Sequence, residues 1–307
     1  MRIPGILLLF MAFLVGCKNE VGPKRSANII NTEQHPFVLP SIPKSIEFCG
    51  ETIYLEDEDI RERLDREVLT NAYYHSSTIQ AIKRSERYFP MIEKILKEKD
   101  LPEDLKYVAV IESNLQQAVS PAGAVGFWQF MPVTAKQFGL KISQEIDERM
   151  NIEKSTYAAC QYLIEAYDTL KSWSLAIASY NRGIGGVRSD MRWQETDNYY
   201  DTHMNSETGR YVYRAIAMKL IMENPEGYGF FIPKQDLYKP IKTRIVKVSE
   251  DINDLAEWSK SVGYNLKIIK KLNPWILGNR LTVRNTMLEL EIPAKSFNLK
   301  PYREYEK

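Results

Sequence analysis

Apolar positions recur at helical spacing through much of the chain. Ile79, Ile82, Tyr88, Ile92, Ile95 and Leu96 mark one helix, and Ile152, Ala159, Cys160, Leu163, Tyr167 and Leu170 mark another over 151–170. Trp173, Ala176, Ile177 and Tyr180 give a third, which ends before Gly183, Gly185 and Gly186. Those glycines follow a helix rather than a strand and form no Gly-x-Gly-x-x-Gly, so they read as a helix stop and tight turn rather than a nucleotide loop. A further helix is predicted over 211–221, and the charged stretch 56–71 reads as an exposed helix with a solvated face. After a Gly- and Pro-containing shift at 224–240, the pattern predicts a strand at 241–248, helices at 252–261 and 266–272, and a closing strand at 287–292.

One polar residue breaks the pattern in the middle of the chain. Pro102, Glu103 and Asp104 mark a helix start, and Leu105, Val108, Ala109 and Glu112 then fall at i, i+3, i+4 and i+7. Glu112 therefore stands where the period calls for a core residue. A carboxyl held there has a raised pKa and keeps its proton near neutrality, as a general acid must; at the edge of the stripe it snorkels to solvent or pairs with a Lys or Arg. A turn-forming stretch with Gly123 and Gly126 follows, then Trp128, Gln129, Phe130 and Met131, and a short helix from Pro132 that stops near Gly139.

The segments ESN at 112–114, SPAGAVGFWQFMPVTA at 120–135 and ASYNRG at 178–183 together resemble the family 1 lytic transglycosylases, goose-type-lysozyme-like enzymes that cleave peptidoglycan, and in particular the membrane-bound type D enzymes. The resemblance covers roughly 85–225. It implies a mainly α fold, with a lysozyme-like catalytic domain over 46–225. Residue by residue, it implies Glu112 as the catalytic acid, Ser113 as its neighbour, and Gln129, Tyr180 and Asn181 in the sugar groove. Tyr211 is the tyrosine beside the acid, with Tyr213 an alternative. Trp128, Phe130 and Met131 are expected as an apolar sugar-binding wall. The β-α-α-β order over 240–295 is similar to a divergent LysM domain, although Ser249-Glu250-Asp251 lacks the module's glycine; it binds N-acetylglucosamine-containing glycan or is a structural cap on the enzyme.

Glycosidases normally use two carboxylates, and no second acid accompanies Glu112 in sequence, since Glu103 and Asp104 lie about two turns away. A single acid suffices when the substrate supplies the attacking group. In the family, that acid protonates the bond between N-acetylmuramic acid and N-acetylglucosamine, then removes the muramyl C6 hydroxyl proton to give a 1,6-anhydro end. A hydrolytic muramidase and a non-catalytic peptidoglycan-binding scaffold are the alternatives.

The apolar run at 6–15, after Arg2, is too short to span a bilayer and reads as a signal segment ending at residue 17. Leu14-Val15-Gly16-Cys17 resembles a bacterial lipoprotein box, which implies a lipid on Cys17 and anchoring to a membrane, the outer membrane facing the periplasm, by way of a tether over 18–45. With 307 residues, 44% hydrophobic and 26% charged, the chain is long enough for about two domains. A net charge of +1 gives no attraction to nucleic acid. Cys49 and Cys160 are open to a disulfide, though Cys160 on its apolar stripe reads better as a buried thiol. His35, His75 and His203 lack ligand spacing; no metal or cofactor is expected, and the chain is expected to be a monomer.

Overall fold

The computed structural model describes residues 39, 41–283 and 287–295; the signal segment, Cys17 and most of the tether lie outside the described residues. The expected mainly α architecture with a small βααβ domain is present, but ahead of its first helix stands a hairpin that the helical patterns do not predict. Strands β1 (Ser45–Phe48) and β2 (Glu51–Tyr54) pair antiparallel, with Phe48 opposite Glu51. The two turn residues, Cys49 at φ 54° and Gly50 at φ 77°, are both left-handed, as a two-residue hairpin turn requires. Asp104 holds the turn by accepting from the Cys49 N–H at 2.8 Å. The hairpin drives Ile46, Phe48 and Ile53 into the core.

Helix α1 (Glu58–Tyr73) is capped by Asp57, which accepts from the Ile60 N–H. It is not the wholly solvated helix its charges imply. Leu64, Val68 and Ala72 form a narrow apolar seam against α8 (Thr208–Glu223), and Glu67 is buried on the same seam. Helix α8 also touches α3 (Lys106–Ser113) and α6 (Trp173–Arg182), so it is buried nearly all round, and Tyr211, Val212, Tyr213, Ile216 and Ile221 all enter the core. Around this centre stand α2 (His75–Glu98), which carries Pro90 within it, and α5 (Ile152–Leu170), which fills the stretch predicted for it. Glu51 caps α6, accepting from the Ser174 N–H at 3.1 Å and its hydroxyl at 2.6 Å.

The glycines after α6 correct one expectation. Gly183 alone makes the turn, at φ 77°, and Gly185 and Gly186 lie inside α7 (Ile184–Gln194). At Gly186 a Cβ would meet the Arg182 side chain at 2.8 Å, so the missing side chain there lets this helix start close behind its predecessor. Cys49 and Cys160 are free and buried. Among the described residues no helix is long and apolar enough to cross a membrane.

The C-terminal domain pairs β3 (Thr243–Val248) with β4 (Leu288–Pro293) antiparallel, and packs α9 (Leu255–Ser261) and α10 (Leu266–Leu272) beneath them. Its own core includes Leu255, Ile269, Trp275, Ile276, Leu281 and Leu290. Asn273 ties helix to strand: its amide N–H donates to the Glu291 carbonyl at 2.7 Å and its oxygen accepts from the Glu291 N–H at 2.8 Å.

The buried Glu67 carboxylate accepts from Arg210 Nε at 2.6 Å and Nη2 at 3.1 Å, joining α1 to α8. Removing one partner of such a pair strands the other charge. Arg210→Ala should therefore lower the free energy of unfolding by about 3 kcal/mol in urea denaturation, whereas a loss below about 1 kcal/mol would mean that the carboxylate finds water.

Candidate active site

Helix α3 is eight residues long and buried along most of its length, so the chain must reverse sharply to leave it. Asn114 and Leu115 make that reversal at φ 55° and 54°, a conformation that costs non-glycine residues energy and needs support. The support is local: the Asn114 side-chain amide donates to the carbonyl and hydroxyl of Ser77, each at 3.0 Å, while its backbone carbonyl accepts from Arg84 at 3.1 Å. Two residues before this fixed point, Glu112 faces a cleft of about 270 Å³ lined also by Asn71, Ser77, Thr78, Arg214 and Met218. A larger hollow of about 460 Å³, at the junction with the C-terminal domain, shares no lining residue with this cleft and holds no acid–tyrosine pair.

Tyr211 of α8 donates its hydroxyl hydrogen to Glu112 Oε1. Burial pushes the Glu112 carboxyl up to about 7, against the Tyr211 hydrogen bond and the Arg214 charge, which both pull it down; the Glu207 carboxylate adds a smaller upward push. The Tyr211 and Tyr180 hydroxyls are themselves driven well above their ordinary range, by burial first and then by the Glu112 charge, so both remain donors. Arg214 is anchored beside the acid, donating to the Ile111 carbonyl at 2.8 Å. Glu207, exposed at the start of α8, is a second carboxylate within electrostatic reach, which sequence spacing did not reveal. The two nearer in sequence are occupied elsewhere, Glu103 by Lys106 at 2.7 Å and Asp104 by Lys219 at 2.7 Å.

The remaining expected site residues divide between the cleft and its scaffold. Ser113 is buried, and its hydroxyl donates to the Phe127 carbonyl at 2.8 Å. Gln129, at φ 47°, spends its amide N–H groups on the carbonyls of Ala118 at 3.1 Å and Gly126 at 2.7 Å. Both side chains therefore shape the loop that follows the acid rather than reach into the cleft. The expected apolar wall needs correction, because Trp128 and Phe130 are 0% and 3% exposed and only Met131, at 43%, meets solvent. Trp128 is locked by its indole N–H to Thr156 Oγ1 at 2.9 Å. Tyr180 donates to the Trp128 carbonyl at 2.9 Å, and Asn181 accepts from Thr208 Oγ1 at 2.7 Å, joining the end of α6 to the start of α8.

Arg149 is the residue that sequence reasoning missed altogether. Its buried guanidinium donates to both oxygens of Asp147 and, through Nη1, to the carbonyls of Gly123 and Phe130, each at 3.0 Å. Its own carbonyl lies so close to Gly126 that a Cβ there would sit 2.1 Å away. No periodicity marks it, since it lies in a single 3-10 turn, Glu148–Met150, 19 residues beyond Phe130 of the loop it holds. Among the described residues no group of three or more His, Cys, Asp or Glu side chains converges as a metal site.

Comparison with known proteins adds to this geometry. The model of the transglycosylase SLT domain matches residues 89–202, and that of the soluble lytic transglycosylase C-terminal LysM-like domain matches residues 244–296. The membrane-bound lytic murein transglycosylases D of Escherichia coli K12 and of Escherichia coli O6:H1 are each 28% identical over 246 residues, covering 76% of this chain and 52% of theirs. The chain thus spans about half the length of the curated relatives it matches. A solved structure of an inactive mutant of the lytic transglycosylase Slt from Pseudomonas aeruginosa aligns at 20% identity with a TM-score of 0.36, covering 49% of this chain and 26% of that one. Residues 89–202, Glu112 among them, thus carry a transglycosylase SLT domain, residues 244–296 a LysM-like C-terminal domain, and the chain is homologous to membrane-bound lytic murein transglycosylase D.

Proposed function

We propose that the chain is a peptidoglycan lytic transglycosylase that uses Glu112 first as acid and then as base. The observation that carries this reading is a carboxyl with its pKa raised to about 7, steadied by Tyr211 at an open cleft, within an SLT domain. Protonated Glu112 gives its proton to the oxygen leaving the muramyl C1, so that N-acetylglucosamine departs as an alcohol. The resulting carboxylate is stabilised by Tyr211 and Arg214, and takes the proton from the muramyl C6 hydroxyl as that oxygen closes on C1. The product is a 1,6-anhydromuramyl end, with no water consumed. Proton transfer of this kind contributes about 10²–10⁴-fold to rate.

Tyr180 and Asn181 orient the substrate's acetamide, Met131 gives it an apolar contact, and Ser113, Gln129 and Phe130 hold the loop in place. The enzyme domain extends over 46–225 and the LysM-like domain over 240–295. A lipid on Cys17, at the end of a signal segment over 1–17, and a tether over 18–45 would hold the enzyme, as a monomer, to a membrane of the bacterial cell envelope. Hydrolysis is the competing reading, and the charge of Glu207 beside the acid is the observation in its favour, because a second carboxylate is what activation of a water requires.

Mass spectrometry of muropeptides released from purified peptidoglycan tests the reaction. The parent protein should leave 1,6-anhydromuramyl ends and Glu112→Gln should leave none; reducing ends would identify a hydrolase, and undiminished activity in the variant would exclude Glu112. The same residue makes stability depend on pH. Glu112 binds its proton more tightly folded than unfolded, so its contribution is complete below the ordinary carboxyl pKa of 4.5 and is lost as pH rises to about 7. Glu112→Gln escapes that loss, and its advantage over the parent in chemical denaturation should grow by about 1–3 kcal/mol across this interval and stay level above it. Arg214→Met removes a charge that favours the carboxylate, so the alkaline limb of kcat/KM should move upward, while Arg214→Lys should leave it in place.

A further inference from the structure

The two domains are joined by backbone pairing as well as by packing. Residues 142–147 fold back on themselves, Ile142 bridging Asp147, and the outer edge of this turn runs antiparallel to residues 275–277 of the C-terminal domain. The Asp147 N–H donates to the Trp275 carbonyl and the Leu277 N–H to the Glu145 carbonyl, both at 2.8 Å, with Ile146 opposite Ile276. The Glu145 carboxylate accepts from the Thr282 N–H at 2.8 Å and its hydroxyl at 3.0 Å, with Arg280 3.7 Å away. Ile146 and Met150 pack against the apolar core of the C-terminal domain.

The same turn runs directly into the clamp on the loop beside the acid. Asp147, whose N–H is held by Trp275, presents both carboxylate oxygens to Arg149, and Arg149 holds the carbonyls of Gly123 and Phe130. One residue further, the Met150 carbonyl accepts from Gln117 at 2.8 Å. From the loop, the Phe127 carbonyl accepts from Ser113, the neighbour of Glu112. The Gln117 link is exposed, but the Asp147–Arg149, Arg149–loop and Ser113–Phe127 links join buried or part-buried groups, and the Arg149 link is bidentate, so its geometry is fixed as well as its distance.

We infer that the LysM-like domain is a buttress of the candidate active site, with Glu145, Asp147 and Arg149 as positioning residues that carry its docking to the loop at 117–130. This extends the reading of Glu112 as the acid. A domain serving only to bind glycan would raise affinity for the polymer and leave the loop indifferent to its docking. A buttress makes turnover itself depend on the seam, even for substrates too short to reach both domains, because small displacements of a catalytic frame cost rate steeply.

The test loosens the seam in the full chain and reads the loop independently of activity. Glu145→Ala removes the acceptor for Thr282, Glu145→Gln keeps one, and Ile146→Asp places a charge in the apolar seam. Hydrogen exchange should quicken at the Asp147 and Leu277 amides in Glu145→Ala and Ile146→Asp, and with them at Val125, Gly126 and Phe130, with Glu145→Gln restoring much of the protection. On a short soluble glycan, kcat should fall about ten-fold or more with KM little changed. Loop amides that stay protected once the seam amides open would overturn the inference, as would seam amides that do not respond to either variant. A parent protein without lytic activity would defeat the functional reading and leave the exchange result standing.

Discussion

A buried positive charge in the middle of a single 3-10 turn dictates much of what surrounds it. Arg149 is 7% exposed, and a guanidinium so far from water is tolerable only when its donors are met. Asp147 meets them from one side, and the Gly123 and Phe130 carbonyls from the other. In satisfying itself the charge ties this short turn to a loop that has no helix or strand of its own to hold it. It also imposes Gly126, because the loop approaches the Arg149 carbonyl more closely than any side chain permits.

The acid is tuned by forces that oppose one another. Burial alone would raise the Glu112 carboxyl further than it stands, and a fully satisfied carboxylate would not hold a proton at neutrality. Tyr211 and Arg214 reverse part of what burial does, leaving the group near the middle, where it can give and take a proton at similar cost. Both partners come from α8, three residues apart on one face. A helix packed on nearly all sides thus carries the groups that set the proton affinity.

The sequence was most readable where a helix buries a single continuous stripe. The 151–170 pattern gave α5 its limits, and the stripe through Leu105, Val108 and Ala109 put Glu112 on the right face. Legibility failed where tertiary contacts overrule local preference. The hairpin strands have four residues each, and Cys49-Gly50 carries none of the usual Asn-Gly or Asp-Gly turn chemistry; Asp104, 55 residues away, completes it. Helix α1 hides its seam because Glu67 occupies a core position, made acceptable only by Arg210. Helix α7 carries Gly185 and Gly186 in its first turn, each disfavoured by local propensity by about 1 kcal/mol. At the site, the side chains expected to meet the sugar divide: Ser113, Gln129, Trp128 and Phe130 serve the loop's shape, and Arg149 carried no local signal.

Cys49 sits in the hairpin turn and Cys160 in the middle of α5, both buried, and burial pushes the first thiol well up and the second up to about 12. Neither is a nucleophile in the native fold, since reactivity belongs to the thiolate. Each becomes one only when its own surroundings open, and the two surroundings are different: a two-stranded flap pinned by Asp104, and a long interior helix. The pair therefore forms a built-in clock with two hands, in which alkylation at Cys49 times the lifting of the flap and alkylation at Cys160 times the breakage of the helical core.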